Sequence, residues 1–518
     1  MIAHLPAKTN LLISIFLFFV TATWLPLKGW SQDKAALDKS ALLDELFTKY
    51  HRYEDFEGAV LVAENGKIVY QNAFGWANRE WDVPNRVDTK FNLASISKQF
   101  TAALVLLLAE EGKIDLDSSL SHYYPAYRPD VGSKVTVHQL LTHTSGIPNY
   151  TSLPSVWTDS LVIRYTPDQL VEKFGSMDLE FEPGTQYQYN NTGYFLLSVI
   201  IEKVSGQPFE QVLQEKILHP LNMHNTGIDN RSEIVKQRAH GYIRNLDGYV
   251  NASPMYMKNL QGAGNMYATV EDLFRWNQAL YGGKLLSQKS LRLMTQAQAP
   301  DNDGWITPFA NSYGYGLGIA SVDSKVINAP ALKMYFHSGH ISGFSGFMAH
   351  FPEDHHTVIM LSNLGGVSTA RMNEITQEAK NILYGLPNQM PQRVLSSTLL
   401  KVIQEEGVEA AIKKYHYLVE AFPYDYPNTE NELNKLASDL STLKQTKAAL
   451  RILELNTVVN PGWKTYLHMA RAHYALENAA GAMDYYKKSL SINPGKTDPE
   501  KQGKEEAKKV LKELKKEL

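Results

Sequence analysis

The chain has 518 residues, 44% hydrophobic and 20% charged, and its 51 Lys+Arg against 54 Asp+Glu give a net charge of −3. This balance excludes disorder for the bulk of the chain and leaves no cationic surplus for a phosphate backbone, so no nucleic-acid partner is expected. The absence of cysteine removes disulfides, thiolate metal centres, a thiol nucleophile and the cysteine that a bacterial lipid anchor needs.

At the N-terminus, Lys8 precedes the apolar run Leu11–Val20, and Gly29-Trp30-Ser31 offers small residues for cleavage. Residues 1–31 therefore read as a secretory signal peptide. The apolar run is shorter than the ~20 residues of a spanning helix, so the mature chain is expected to be periplasmic or secreted, with no membrane span.

Over 58–77, Ala59-Val60-Leu61-Val62-Ala63 and Lys67-Ile68-Val69-Tyr70 flank Asn65-Gly66, whose tolerance of positive φ predicts a tight hairpin. Gln99 to Glu111 is apolar nearly all round and predicts a buried helix. Tyr194–Val204 and Glu271–Leu280 also read as helices. Strands follow at Gly346–Phe351 and Thr357–Leu361 around Pro352-Glu353-Asp354. Early and late antiparallel strands enclosing a helical middle predict an α/β (α+β) domain over 41–385, its sheet assembled from both ends.

Residues 386–394 form a proline-bearing linker, and 395–518 is helical in pattern. Two segments superimpose at a spacing of 33 residues: Ala437 on Ala470, Leu443 on Leu476, Ala449 on Ala482, Val459 on Ile492 and Pro461 on Pro494. Small residues where paired helices cross, with a proline after the second helix, suit stacked helical hairpins. This region resembles tetratricopeptide repeats. Gly407–Pro423 reads as a degenerate half-repeat and Glu505–Leu518 as a capping helix. By fold analogy, the repeats imply a protein partner.

The chemistry centres on Ser95-Ile96-Ser97-Lys98, directly before the buried helix. A serine and a lysine one turn apart share a face, so a neutral amine can take the hydroxyl proton. Ser-x-x-Lys also occurs at Ser31/Lys34 and Ser441/Lys444, so order and context must select among the three. Downstream lie Tyr189-Asn190-Asn191 and His337-Ser338-Gly339-His340. In that order the motifs resemble those of the class C β-lactamase and D-Ala-D-Ala peptidase superfamily of serine hydrolases, which uses Ser-x-x-Lys, Tyr-x-Asn and Lys/His-x-Gly. Leu140–Pro148 and Ala268–Leu273 look like the same family.

The resemblance implies a β-lactamase/transpeptidase-like fold with an antiparallel sheet and a helical region. It makes Ser95 the nucleophile and gives the proton traffic to Lys98 and Tyr189, with Lys98 lowering the phenol's pKa. Asn191 would bind the substrate amide or orient Lys98. His337, Ser338 and Gly339 would bind substrate along a strand edge, the glycine allowing close approach. The backbone N–H groups of Ser95 and His340 would form an oxyanion hole, a donor there lowering the barrier by ~3 kcal/mol.

Two departures bear on the substrate. His337 stands where many β-lactamases of this class have lysine, which weakens carboxylate recognition. Asn190 replaces a smaller residue and is expected to narrow the pocket. His143 is expected to fix a loop, and His355 and His356 lack an evident third metal ligand. No metal or organic cofactor is implied. The expectation is a serine hydrolase acting on a small-molecule or peptide substrate with an amide, peptide or ester bond. A true β-lactamase, an esterase and a non-catalytic wall-peptide sensor are the alternatives.

Overall fold

The computed structural model describes residues 28–156, 162–230, 233–245, 248–299, 310–322, 331–391, 394–422 and 430–517. Most of the expected signal peptide, residues 1–27, lies outside the described residues. Its final residues fall within the first helix, α1 (Lys28–Arg52), which begins ahead of the expected domain start at 41.

The predicted hairpin is β1 (Gly58–Glu64) and β2 (Lys67–Phe74). Asn65 at φ 51° and Gly66 at φ 71° form its two-residue turn, as the Asn-Gly pair requires. Late in the chain come β3 (Ala310–Tyr313), β4 (Gly318–Val322), β5 (Leu332–Ile341), β6 (Phe344–Phe351) and β7 (His356–Ser362). The seven strands form one sheet in the order β3-β4-β5-β6-β7-β1-β2. The early hairpin joins the late strands through antiparallel pairing of β1 with β7, including Val62 opposite Val358. The sheet is thus built from both ends of the domain, as expected.

Successive side chains of a strand point to opposite faces, and here both faces are covered. Ala59, Leu61 and Ala63 of β1 enter one core with Ile359 and Leu361 of β7. Val60 and Val62 enter the other with Val358 and Met360. The first core contains α2 (Lys98–Glu110), α3 (Asn191–Ser205) and α4 (Val270–Tyr281). The second is closed by α1 and α5 (Thr369–Leu383) through Leu43, Phe47, Met372 and Ile375. Helix α2 is buried on nearly every side, and Phe100 on it stacks on Trp276 of α4 at 4.1 Å.

After the proline-bearing segment the described chain is all helix. The hairpins are α6 (Leu395–Glu406) with α7 (Val408–Ala421), α8 (Glu430–Thr442) with α9 (Thr446–Val459), and α10 (Trp463–Ala475) with α11 (Ala479–Ile492). The α10/α11 boundaries lie thirty-three residues beyond those of α8/α9. Ala437, Ala449, Ala470 and Ala482 are all buried, as close helix crossing needs. The segment from Gly407 is not a half-repeat: α7 packs on α6 as the second helix of a full hairpin, its expected end at Pro423 lying outside the described residues. The last helix, α12 (Asp498–Glu517), starts earlier than expected and packs through Ala507, Leu511 and Leu514 on the final hairpin. The all-helical region fits a repeat architecture, with cores distinct from those of the sheet domain.

Candidate active site

Three chain segments build the turn that carries Ser95. Phe91–Asn92 pairs with Met266–Ala268, and Leu93 N–H reaches Met266 O at 2.8 Å. Ala94 adopts φ 46°, unfavourable for a residue with a side chain, while its N–H is held by Asn92 Oδ1 at 2.9 Å. The chain then forms a 3-10 turn over Ala94–Ser97 that runs into α2. Ser95 therefore precedes the α-helix rather than starting it. Residues i and i+3 eclipse in a 3-10 turn, which places Lys98 Nζ 3.1 Å from Ser95 Oγ.

Lys98 is fully buried. Its amine also donates to Asn191 Oδ1 at 2.7 Å and to Ala263 O at 2.8 Å. Burial pushes its pKa well below the ordinary 10.5, because loss of water penalises the ammonium. A neutral amine has two N–H bonds and one lone pair. Both carbonyl-type oxygens accept only, so in the neutral form they take the two N–H bonds and turn the lone pair toward Ser95, whereas in the ammonium form all three contacts are donated, that to Ser95 Oγ included.

Asn191 is held so that its oxygen meets the lysine. Its Nδ2 donates to Thr151 Oγ1 at 2.7 Å and its backbone N–H to Asn149 Oδ1 at 3.1 Å. Of the two roles expected for Asn191, the orientation of Lys98 is the one seen here. Asn190 does not narrow the pocket. It caps α3 by accepting from Gly193 N–H at 2.9 Å, and its Nδ2 donates to Ile147 O; helix capping turns it into the fold. His143 fixes this loop, accepting from Asn190 N–H at 3.0 Å and packing 4.6 Å from the Tyr189 ring.

Tyr189 approaches from the other side, its ring 4.9 Å from Lys98 Nζ. Burial raises the phenol above its ordinary value and the neighbouring Ser95 hydroxyl draws it part of the way back. The expected lowering by Lys98 is not seen; burial dominates at the phenol.

The third motif lies on β5. That strand pairs with β6 as far as Ile341, but with β4 only from Leu332 to Phe336. From His337 onward one edge is thus released from β4, and Ser338 lines the cavity there. Gly339 permits a close approach within the fold itself. A Cβ there would lie 2.2 Å from Leu93 O and 3.3 Å from Ala94 Cβ, so the glycine lets the strand press on the Ser95 turn. His337 is buried, with Nδ1 donating to Ser338 O at 2.5 Å and Nε2 accepting from the Tyr313 hydroxyl at 2.7 Å. Burial, reinforced by Lys98, lowers its pKa to about 3.

Ser95, Tyr189, His337, Ser338 and His340 line one cavity of about 330 Å³. Lys98 and Asn191 stand behind Ser95 and Gly339 beneath it. The sequence reading missed Tyr313, Gly318, Phe336, Ser368 and Thr369, which also line the wall. It also missed Asn149 and Thr151, which hold Asn191. Tyr313-Gly314-Tyr315-Gly316 was a visible signal; isolated Ser, Thr and Asn residues offered none.

A Beta-lactamase family model matches residues 43–380, and the chain belongs to that family of penicillin-binding and β-lactamase-fold serine hydrolases. It is 30% identical over 441 residues to Penicillin-binding protein 4* of Bacillus subtilis (strain 168), a match covering 81% of this chain and 93% of that protein. Among solved structures, a penicillin binding protein from Bacillus halodurans aligns with TM-score 0.55 and 26% identity, covering 64% of this chain and 98% of the other. The D-amino acid amidase from Ochrobactrum anthropi SV3 shares the fold, with TM-score 0.57 and 23% identity over 68% of this chain and 99% of that one.

Proposed function

We propose that the protein is a secreted or periplasmic serine hydrolase that opens an amide, peptide or ester carbonyl through an acyl-enzyme on Ser95. One observation carries this reading: Lys98 is buried, its amine is held by the carbonyl-type oxygens of Asn191 and Ala263, and it lies 3.1 Å from Ser95 Oγ. The Ser95 proton passes to Lys98 as Oγ bonds to the substrate carbonyl carbon. The carbonyl oxygen becomes an oxyanion, which the backbone N–H groups of Ser95 and His340 stabilise from the cavity wall.

When the tetrahedral intermediate collapses, Tyr189 gives its proton to the leaving nitrogen or oxygen and recovers one from Lys98. Water then attacks the acyl carbon, its proton returns through the same pair, and the acid departs from Ser95. Asn191 keeps Lys98 in register throughout. A binding protein without catalysis would have no use for a desolvated lysine aimed at a serine. The helical hairpins beyond 394 are read as tetratricopeptide-like repeats that hold a protein partner. Among the described residues no helix is long and apolar enough to cross a membrane.

The test is intact mass of the full chain after a fluorophosphonate probe, with Ser95→Ala in parallel. A single adduct on wild type that Ser95→Ala lacks is expected, along with a loss of ester hydrolysis of roughly 10⁴-fold or more. Labelling that survives the substitution places the nucleophile elsewhere. Incubation with benzylpenicillin separates the family's chemistries: a lasting adduct indicates peptidase-like acylation, and rapid ring opening a β-lactamase.

A further inference from the structure

Tyr313 and His337 are twenty-four residues apart in sequence and meet across the sheet. Tyr313 pairs with Gly318, and Gly318 pairs with Phe336. His337 lies one residue beyond that last β4–β5 pair, and there the Tyr313 hydroxyl meets its ring. Because Ser338 O can only accept, His337 Nδ1 carries the ring proton. Nε2 therefore accepts, and the Tyr313 hydroxyl donates to it at 2.7 Å. Both ring nitrogens are committed to protein partners, and the imidazole presents neither a charge nor a spare N–H to the cavity.

The rest of the wall repeats this neutrality. Among the described residues no Lys, Arg, Asp or Glu lines the cavity. His340, the other imidazole in it, is tied through Nε2 to Val367 O at 2.7 Å. Ser368 and Thr369 contribute the start of α5, but the first-turn N–H of Arg371 is already bonded to Ser368 Oγ at 3.2 Å. The Arg371 guanidinium is engaged by Glu374 at 2.9 Å and lies 3.8 Å from Asp55.

We propose that Tyr313, by capping His337, is a specificity-determining residue that makes this a neutral pocket, selecting amides or esters whose flank carries no free carboxylate. The proposal rests on Ser95 being the reacting centre. A carboxylate entering this cavity sheds its hydration and meets hydroxyls and an aromatic wall but no cation, a penalty that a carboxamide or ester largely escapes.

The experiment uses the full-length Ser95→Ala protein, so that the result is independent of turnover. Binding of acetyl-D-alanyl-D-alanine and of its C-terminal carboxamide is compared by titration calorimetry. The carboxamide should bind at least about tenfold tighter, since only the carboxylate lacks a charge partner. His337→Lys should reverse the order. Tyr313→Phe, which keeps the ring and frees His337 Nε2, should narrow the gap. Equal binding, tighter binding of the carboxylate, or no measurable binding of either ligand overturns the proposal. The catalytic reading is judged separately by fluorophosphonate labelling of wild type: a protein that prefers the carboxamide but is not labelled keeps the pocket and loses the nucleophile.

Discussion

Lys98 Nζ donates to Asn191 Oδ1 at 2.7 Å, one of the contacts that hold the amine 3.1 Å from Ser95 Oγ. Replacing Asn191 with Ala removes one of the two acceptors and lets the amine rotate away from Ser95. The expected loss in kcat is roughly 10²–10³-fold with little change in KM, the scale of a displaced general base. Asn191→Asp makes a different prediction. A carboxylate at that point favours the ammonium form, so the acid limb of the kcat/KM profile moves to higher pH. A profile that coincides with wild type would separate Asn191 from the protonation of Lys98.

The Ser95 turn also depends on a glycine outside its own segment. With its Cβ 2.2 Å from Leu93 O, Gly339→Ala must move backbone against backbone, at a cost of about 1–3 kcal/mol. The urea midpoint should fall, and fluorophosphonate labelling should slow because the displaced atoms precede Ser95 directly. Unchanged labelling in a destabilised protein would confine the strain to β5.

Buried histidines set an acid limit to stability. Burial lowers His337 and His350 to about 3, against an unfolded value of about 6.5. Between those values the unfolded chain binds more protons than the folded one. Their contribution is therefore whole above pH 6.5 and drains away as pH falls toward 3. His350 stacks on Tyr281 at 3.9 Å, away from Ser95. His350→Gln should flatten the slope of unfolding free energy over this window by up to about 1.4 kcal/mol per pH unit while leaving ester hydrolysis intact. Urea titrations from pH 4.5 to 7 measure the slope; an unchanged slope would mean that His350 is already neutral when unfolded or charged when folded.

Every proposed catalytic group precedes residue 386, and the helical hairpins have cores of their own. Deleting 392–518 is accordingly expected to leave a folded protein whose kcat/KM for a small ester is close to that of the full chain. Circular dichroism and steady-state kinetics on the truncated protein test this. A folded truncation without turnover would make the helical region part of the enzyme.

Local chemistry was legible wherever a short segment carried its own physical demand. Asn65-Gly66 could serve a two-residue turn, Gln99–Glu111 could only be buried, and the repeat of small residues at 33 located two hairpins with matching helix bounds. Ser95, Lys98, Tyr189 and Asn191 were identified by motif order, and the structure gathers them at one point. Errors arose where a side chain's direction depends on distant backbone. Asn190 looked like a pocket residue until helix capping turned it inward, and nothing in the Gly339 segment announced that Leu93 would press against it.

The sequence by itself determined the residue types, their order and the two-part organisation, because these follow from side-chain chemistry and short-range periodicity. Only the tertiary structure decided their states. Lysine is a cation by composition, and it is burial between Asn191, Ala263 and Ser95 that pushes the Lys98 pKa well down. Histidine is ambiguous by composition, and it is the register of β3, β4 and β5 that brings Tyr313 onto His337. Protonation depends on desolvation and on partners far apart in the chain, and neither exists until the sheet and helices close around them.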